Sequence, residues 1–123
     1  MSLRIGIDIG STTVKVVVLD EDNKLLFRSY ERHYSKARER ACETLHSIQD
    51  KLAGKDVKLV ITGSAGLGVA KAAGIDFVQE VYATAAAVNT YIPGTDAVIE
   101  LGGEDAKIIF FGGALEERMN GSC

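Results

Sequence analysis

The chain has 123 residues, 46% of them hydrophobic and 25% charged, with a formal net charge of −3. That length holds one modest core or one lobe of something larger, and the composition excludes a disordered chain. The absence of any basic block or aromatic-interleaved patch argues against nucleic acid as a partner, and no run approaches the roughly 18 consecutive apolar residues of a membrane span.

In chain order, residues 4–9, 14–20 and 24–31 read as strands, the second and third joined by the polar turn Asp20-Glu21-Asp22-Asn23. A helix is expected over 36–52, with Ala41, Cys42, Leu45, Ile48 and Leu52 on its apolar face, Ser35 as N-cap and Gly54 as stop. "VKLVIT" (57–62) is a nearly continuous apolar run, the pattern of a strand covered on both faces. "GSAGLG" interrupts it, a short helix is expected over 67–73, and "QEVYATAAAVNTY" (79–91) reads as an alanine-rich helix. Pro93-Gly94 marks a joint, followed by strands at 97–102 and 107–111. Strands interleaved with helices predict an α/β fold.

One ten-residue pattern occurs twice. "IDIGSTTVKV" (7–16) and "IELGGEDAKI" (99–108) share an apolar residue, an acid, an apolar residue, glycine, three turn residues, a small apolar residue, lysine and an apolar residue, 92 positions apart. Each lies on an expected β-hairpin. A tight turn of Gly10, Ser11, Thr12 and Thr13, or of Gly102, Gly103, Glu104 and Asp105, can aim backbone N–H groups and hydroxyls at an anion. Glycine at the first turn position leaves room for a phosphate against the backbone. Asp8 and Glu100, each ending a first strand, suit a Mg²⁺ held through water, because magnesium dehydrates reluctantly. Two such hairpins facing each other would clamp a polyphosphate; two ordinary Gly-turn hairpins would also give this pattern. Lys15 and Lys107 either approach the phosphates as point charges or turn to solvent by strand alternation.

These residues carry a family resemblance. The pair resembles the phosphate-1 and phosphate-2 loops of the actin-like ATPase superfamily, and the alanine-rich segment 79–91 is similar to the connecting helix that precedes the second loop in heat-shock chaperones. Within the superfamily, "GIDIGSTTVKVVVLD", "IELGGEDAKIIFF", "TGSAGLGVAKAAGIDFVQEV" and "MNGSC" resemble the activators of 2-hydroxyacyl-CoA dehydratases and the ATPase subunits of benzoyl-CoA reductase, over nearly the whole chain. The resemblance implies a ribonuclease H-like lobe over 1–92 with a mixed sheet, then the first hairpin of a second, similar lobe over 93–123. It implies ATP and Mg²⁺ as ligands. It further implies a 4Fe–4S cluster shared across a homodimer, with Cys123 as one ligand in the full-length protein. ATP hydrolysis would then drive a low-potential electron from the cluster to a 2-hydroxyacyl-CoA dehydratase or related reductase. A ferredoxin or flavodoxin would supply the electron in anaerobic metabolism.

The chain departs from the resemblance at two positions. Activators commonly have Asp at the place of Glu100 and Gln at that of Glu104. Glu104 would either polarise the attacking water or repel the γ-phosphate by its charge, and the sequence leaves open which of Glu104 and Asp105 is the catalytic group. "TGSAG" (62–66) is either a ligand-binding turn at a strand end or only a strand-to-helix turn. Cys42 is expected in the core as a small hydrophobe, and His33 and His46, without Cys or acid at ligand spacing, are assigned no chemistry. The start "MSLRIGID" has no signal peptide's apolar region, so a cytoplasmic protein is expected.

The short tail after 111 and the missing adenosine motif and second cysteine suggest a fragment, one that binds ATP weakly and holds no stable cluster. Two other functions use the same hairpins: a small-molecule kinase of the superfamily, such as a sugar kinase, and a non-catalytic assembly or regulatory lobe with vestigial loops.

Overall fold

A computed structural model describes residues 2–101, 105–111 and 116–121, with Asp105 and 116–121 described by their backbone alone. Its contacts divide into two units, residues 1–79 and 80–123.

In the first unit, β1 (Ser2–Ile9), β2 (Thr13–Leu19) and β3 (Leu25–Arg32) form an antiparallel meander, and β4 (Asp56–Thr62) and β5 (Asp76–Phe77) add on the other side of β1 in parallel. The sheet order is β3-β2-β1-β4-β5, a mixed five-stranded sheet. The β2–β3 turn is built by Asp20, whose carboxylate accepts the N–H groups of Asp22 (2.8 Å) and Lys24 (2.9 Å), while Asn23 takes a left-handed φ of 63°. Arg4 bonds the Asp20 carbonyl at 2.9 Å and the Asn23 side chain, tying the turn back to β1.

Strand alternation sorts the side chains. Leu3, Ile5, Ile7 and Ile9 of β1, Val14, Val16 and Val18 of β2, and Ile61 of β4 make the core, and Ala41, Ile48 and Ala70 join it from the helices. β4 is not covered on both faces within this unit: only Ile61 is buried, and Lys58 and Val60 line a shallow groove with Gly6 and Val17. The apolar run therefore reflects β propensity as much as burial.

The expected helix over 36–52 is divided into α1 (Ala37–Ser47) and α2 (Gln49–Leu52). Ile48 breaks it at φ −113°, ψ 13°. Thr44 Oγ1 and Ser47 Oγ donate back to the carbonyls of Arg40 (3.0 Å) and Thr44 (2.6 Å), side-chain bonds that bend a helix. Ser35 is not the cap: it has φ 64°, and Lys36 holds the N-cap position without a side-chain cap bond. Gly54 follows α2 at φ 74°, a conformation suited to ending a helix. Cys42 is exposed, because the buried stripe runs through Ala41, Thr44 and Ile48. The helix α3 (Gly66–Ala73) links β4 to β5, closing a βαβ unit whose two-residue second strand is too short to leave a periodic signal.

In the second unit, α4 (Glu80–Tyr91) is followed by the antiparallel sheet β6 (Ala97–Leu101), β7 (Asp105–Phe110) and β8 (Glu116–Gly121). No strand is expected from the sequence at β8, since "EERMNG" lacks apolar alternation; among the described residues it pairs with β7, at the end of the sheet order. Ile109 is fully buried, while Ile99 and Leu101 are exposed.

Candidate functional site

The first hairpin presents its acid by simple alternation. With Ile7, Ile9, Val14 and Val16 in the core, Asp8 and Lys15 fall on the opposite face as direct cross-strand partners. Ile9 pairs with Val14, so Gly10, Ser11, Thr12 and Thr13 form the connection, begun by a Gly10 N–H bond to the Thr13 carbonyl at 2.9 Å. Ser11 and Thr12 are exposed. Lys15 Nζ stands 3.4 Å from Asp8 Oδ2 and 5.5 Å from the Tyr30 ring centroid. Both side chains of this ion pair are about a third exposed, 30% and 38%. At that distance and exposure the pair contributes under about 1 kcal/mol, leaving the ammonium free to follow another anion. Lysine thus stays on the acid's side of the strand.

The other carboxylate oxygen is in a different position. Asp8 Oδ1 and Thr62 Oγ1 are buried without a hydrogen-bond partner among the described residues, and the two residues are register partners on β1 and β4. Buried polar atoms are nearly always satisfied, and leaving a carboxylate oxygen unpaired is costly. Unpaired carboxylate and hydroxyl oxygens are the donor types that a hydrated magnesium ion engages through its water ligands, so in chemistry the pair fits the metal expected here.

The segment 62–66 is a strand-to-helix turn, and it is packed on the acid-bearing end of β1. Ala65 N–H donates to the Ile9 carbonyl at 2.9 Å. Gly63, buried at φ 106°, touches the same place: a Cβ there would lie 2.6 Å from Asp8 Oδ1. Gly66 lets α3 approach β4, since its Cβ would stand 2.8 Å from Ile61 Cγ2.

His33, given no role from sequence, is part of this site. It is 7% exposed, its main-chain N–H donates to the Thr12 carbonyl at 3.0 Å, and its ring Nε2 lies 3.0 Å from the Gly10 carbonyl. The Ser35 N–H donates to Nδ1 at 3.0 Å. Nδ1 therefore accepts and Nε2 carries the proton, a neutral imidazole of defined tautomer. The available signal was the meander itself: pairing Thr13 with Arg32 puts residue 33 beside residue 12.

The second hairpin repeats the register of the first. Glu100 pairs with Lys107 as Asp8 pairs with Lys15, and Leu101 with Ala106 as Ile9 with Val14. The burial does not repeat. Lys107 is 4% exposed and its Nζ donates to Glu80 Oε2 at 2.5 Å, within the same unit, while Glu100 is exposed. Asp105 begins β7. Gly102, Gly103, Glu104 and Cys123 lie outside the described residues.

The sequence matches the model of the BadF/BadG/BcrA/BcrD ATPase family over residues 5–123. The chain belongs to that family. Two solved structures are similar to this chain. (R)-2-Hydroxyglutaryl-CoA dehydratase component A of Acidaminococcus fermentans superposes with a TM-score of 0.80 at 21% identity, covering 100% of this chain and 49% of that one. The activator of the 2-hydroxyisocaproyl-CoA dehydratase from Clostridium difficile, solved with bound ADPNP, gives 0.74 at 28% identity over 98% of this chain and 46% of that one. A Ppx/GppA phosphatase of Aquifex aeolicus shares the fold alone, at 0.60 and 17% identity over 98% of this chain and 52% of that one. The chain thus spans about half the length of these structures. No curated protein matches the sequence significantly. The expected actin-like α/β lobe is therefore the fold observed. No helix among the described residues is long and apolar enough to cross a membrane.

Proposed function

We propose that the native protein is an ATP-binding and ATP-hydrolysing activator of a 2-hydroxyacyl-CoA dehydratase or a related reductase, with this chain supplying its phosphate-binding hairpins. The observation that carries the nucleotide part is the buried Oδ1 of Asp8 and the hydroxyl of its register partner Thr62, both without a hydrogen-bond partner among the described residues, at the end of a strand that runs into a glycine-led turn. ADPNP bound to an activator 28% identical to this chain supports the same reading.

Asp8 and Glu100 would hold Mg²⁺ through water, and the ion when bound neutralises charge on the phosphates. The turns 10–13 and 102–105 would meet phosphate oxygens with N–H groups and hydroxyls. Lys15, only loosely held by Asp8, supplies a mobile positive charge. Lys107, paired with Glu80, would act on phosphate only if that pair is exchanged. Glu104 or Asp105 would orient the attacking water.

The electron-transfer part rests on the likeness of "MNGSC" to the activators and on the similarity to a 2-hydroxyisocaproyl-CoA dehydratase activator, with a dehydratase component A sharing the fold. Cys123 would bind a 4Fe–4S cluster shared in a homodimer. Such a cluster takes four ligands, so most come from outside this stretch. When bound, such a cluster would supply low-potential electron chemistry, with a ferredoxin or flavodoxin as the donor and the partner enzyme in the cytoplasm as the acceptor.

The experiment is iron and acid-labile sulfide analysis of the native protein, purified without oxygen, with and without Cys123→Ser. About four irons per dimer, as a single 4Fe–4S centre requires, with loss in the variant, is the expected result. Iron-free protein that phosphorylates a sugar would instead establish a kinase.

A further inference from the structure

The residue most closely built into the first turn is one that the ATPase reading does not use. His33 reaches the turn at two places, its N–H at the Thr12 carbonyl and its ring Nε2–H at the Gly10 carbonyl, each at 3.0 Å. These two carbonyls bracket Ser11 and Thr12, the exposed pair at the apex. With both carbonyls engaged from the β3 side, the Gly10–Ser11 and Thr12–Thr13 peptide planes, which carry the N–H groups of Ser11 and Thr13, are held in one orientation. The N–H groups of those same planes are the ones offered away from His33, where an anion would be met.

The segment that carries His33 is shaped for this purpose. Tyr34 and Ser35 follow it with φ of 48° and 64°, a left-handed pair in two residues that both carry a Cβ. Such a conformation is unfavourable outside glycine and persists where the surroundings hold it in place. Here the Ser35 N–H closes back onto His33 Nδ1 at 3.0 Å, which sets the ring's tautomer and its tilt toward Gly10. Lys36 N–H then bonds the His33 carbonyl at 2.8 Å before α1 begins. An imidazole suits the position because it accepts on one side and donates on the other while remaining buried.

We infer that His33 is a positioning residue for the nucleotide: it pre-orders the turn 10–13 so that its N–H groups are aligned for phosphate before ATP arrives. It touches neither phosphate nor metal, and acts through Gly10 and Thr12. This rests on the reading of the turn as a phosphate loop.

The test uses the native protein and measures the binding of MgATP, magnesium tripolyphosphate and adenosine to wild type, His33→Phe and His33→Gln. Phenylalanine fills the ring's space without either nitrogen; glutamine can return one amide donor to the Gly10 carbonyl. The expected result is about a tenfold weakening of MgATP and tripolyphosphate by the Phe variant, the size of one lost hydrogen bond, with adenosine unchanged and recovery to within about threefold in the Gln variant. Unchanged MgATP affinity in the Phe variant overturns the inference while leaving the ATP reading intact. Equal loss for adenosine and MgATP also overturns it, since a merely destabilised fold would do that. Failure of wild type to bind MgATP overturns the ATP reading and the role of His33 with it. Should neither variant fold, the ¹⁵N spectrum of the wild-type imidazole decides: a proton on Nδ1 contradicts the tether.

Discussion

Gly63 stands so close to Asp8 that a Cβ on it would lie 2.6 Å from the carboxylate oxygen Oδ1. The turn after β4 therefore forms a wall of the acid's site, and glycine is the residue that allows it. Gly63→Ala must displace the Asp8 carboxylate or the turn, on a backbone already at φ 106°. We expect a loss of more than about 3 kcal/mol of stability, from strain and overpacking together. Gly74→Ala is the control: its φ of 68° is also positive, but its Cβ would meet nothing within 4 Å. That change should cost about 1 kcal/mol, the left-handed penalty alone. The same Cβ would lie closer still to the Ile9 carbonyl oxygen, so urea unfolding of both variants reads the two contacts together, and equal losses would show that the close approach to Ile9 and Asp8 is without consequence.

Asp8→Asn keeps the shape of the side chain and removes its charge. Because Oδ1 is buried without a partner among the described residues, and the partly exposed pair with Lys15 is worth little, the folded protein should be no less stable, and its melting temperature should stay level or rise. Nucleotide binding should respond in the opposite sense: at least about a tenfold loss of MgATP affinity, with no further loss on chelating magnesium. Calorimetric titration with and without EDTA reads both. A variant that still gains affinity from magnesium would place the metal elsewhere.

The Lys107–Glu80 contact joins β7 to the first turn of α4 with a buried ammonium. Glu80→Ala should lower stability by about 2 kcal/mol, chiefly through weakened solvation of that charge. The loss should be local. Amide exchange ought to quicken in β6 and β7 and remain unchanged in β1, β2 and β4, since those strands share a core from the other unit. Uniformly faster exchange would contradict this division.

Cys42 is exposed on α1, contrary to its reading as a core residue. The folded protein should therefore alkylate at the Cys42 peptide without denaturant, because the thiol is open to the reagent. Peptide mass spectrometry after a short iodoacetamide pulse distinguishes it from Cys123. Protection until unfolding would restore the buried reading.

Much of this protein was legible in its sequence. The period-two alternation of Ile5, Ile7, Ile9, Val14, Val16 and Val18 determined which face of β1 and β2 is core, and hence that Asp8 and Lys15 share the other face. The repeated acid-apolar-glycine pattern determined two hairpins of identical register. Both follow because strand alternation and short turns are local, set by residues within a few positions of one another. What depended on distant segments was decided only by the tertiary structure. The side-chain bonds of Thr44 and Ser47 accompany a helix break that helical periodicity did not signal. The chemistry of Lys107 depends on Glu80, 27 positions away, and the burial of the second hairpin does not follow the repeat. Gly63 and His33 became part of the acid's surroundings because β4 and β3 pair on either side of the first hairpin. That neighbourhood is created by sheet order, and sheet order is a property of the whole core, which no short stretch of sequence contains.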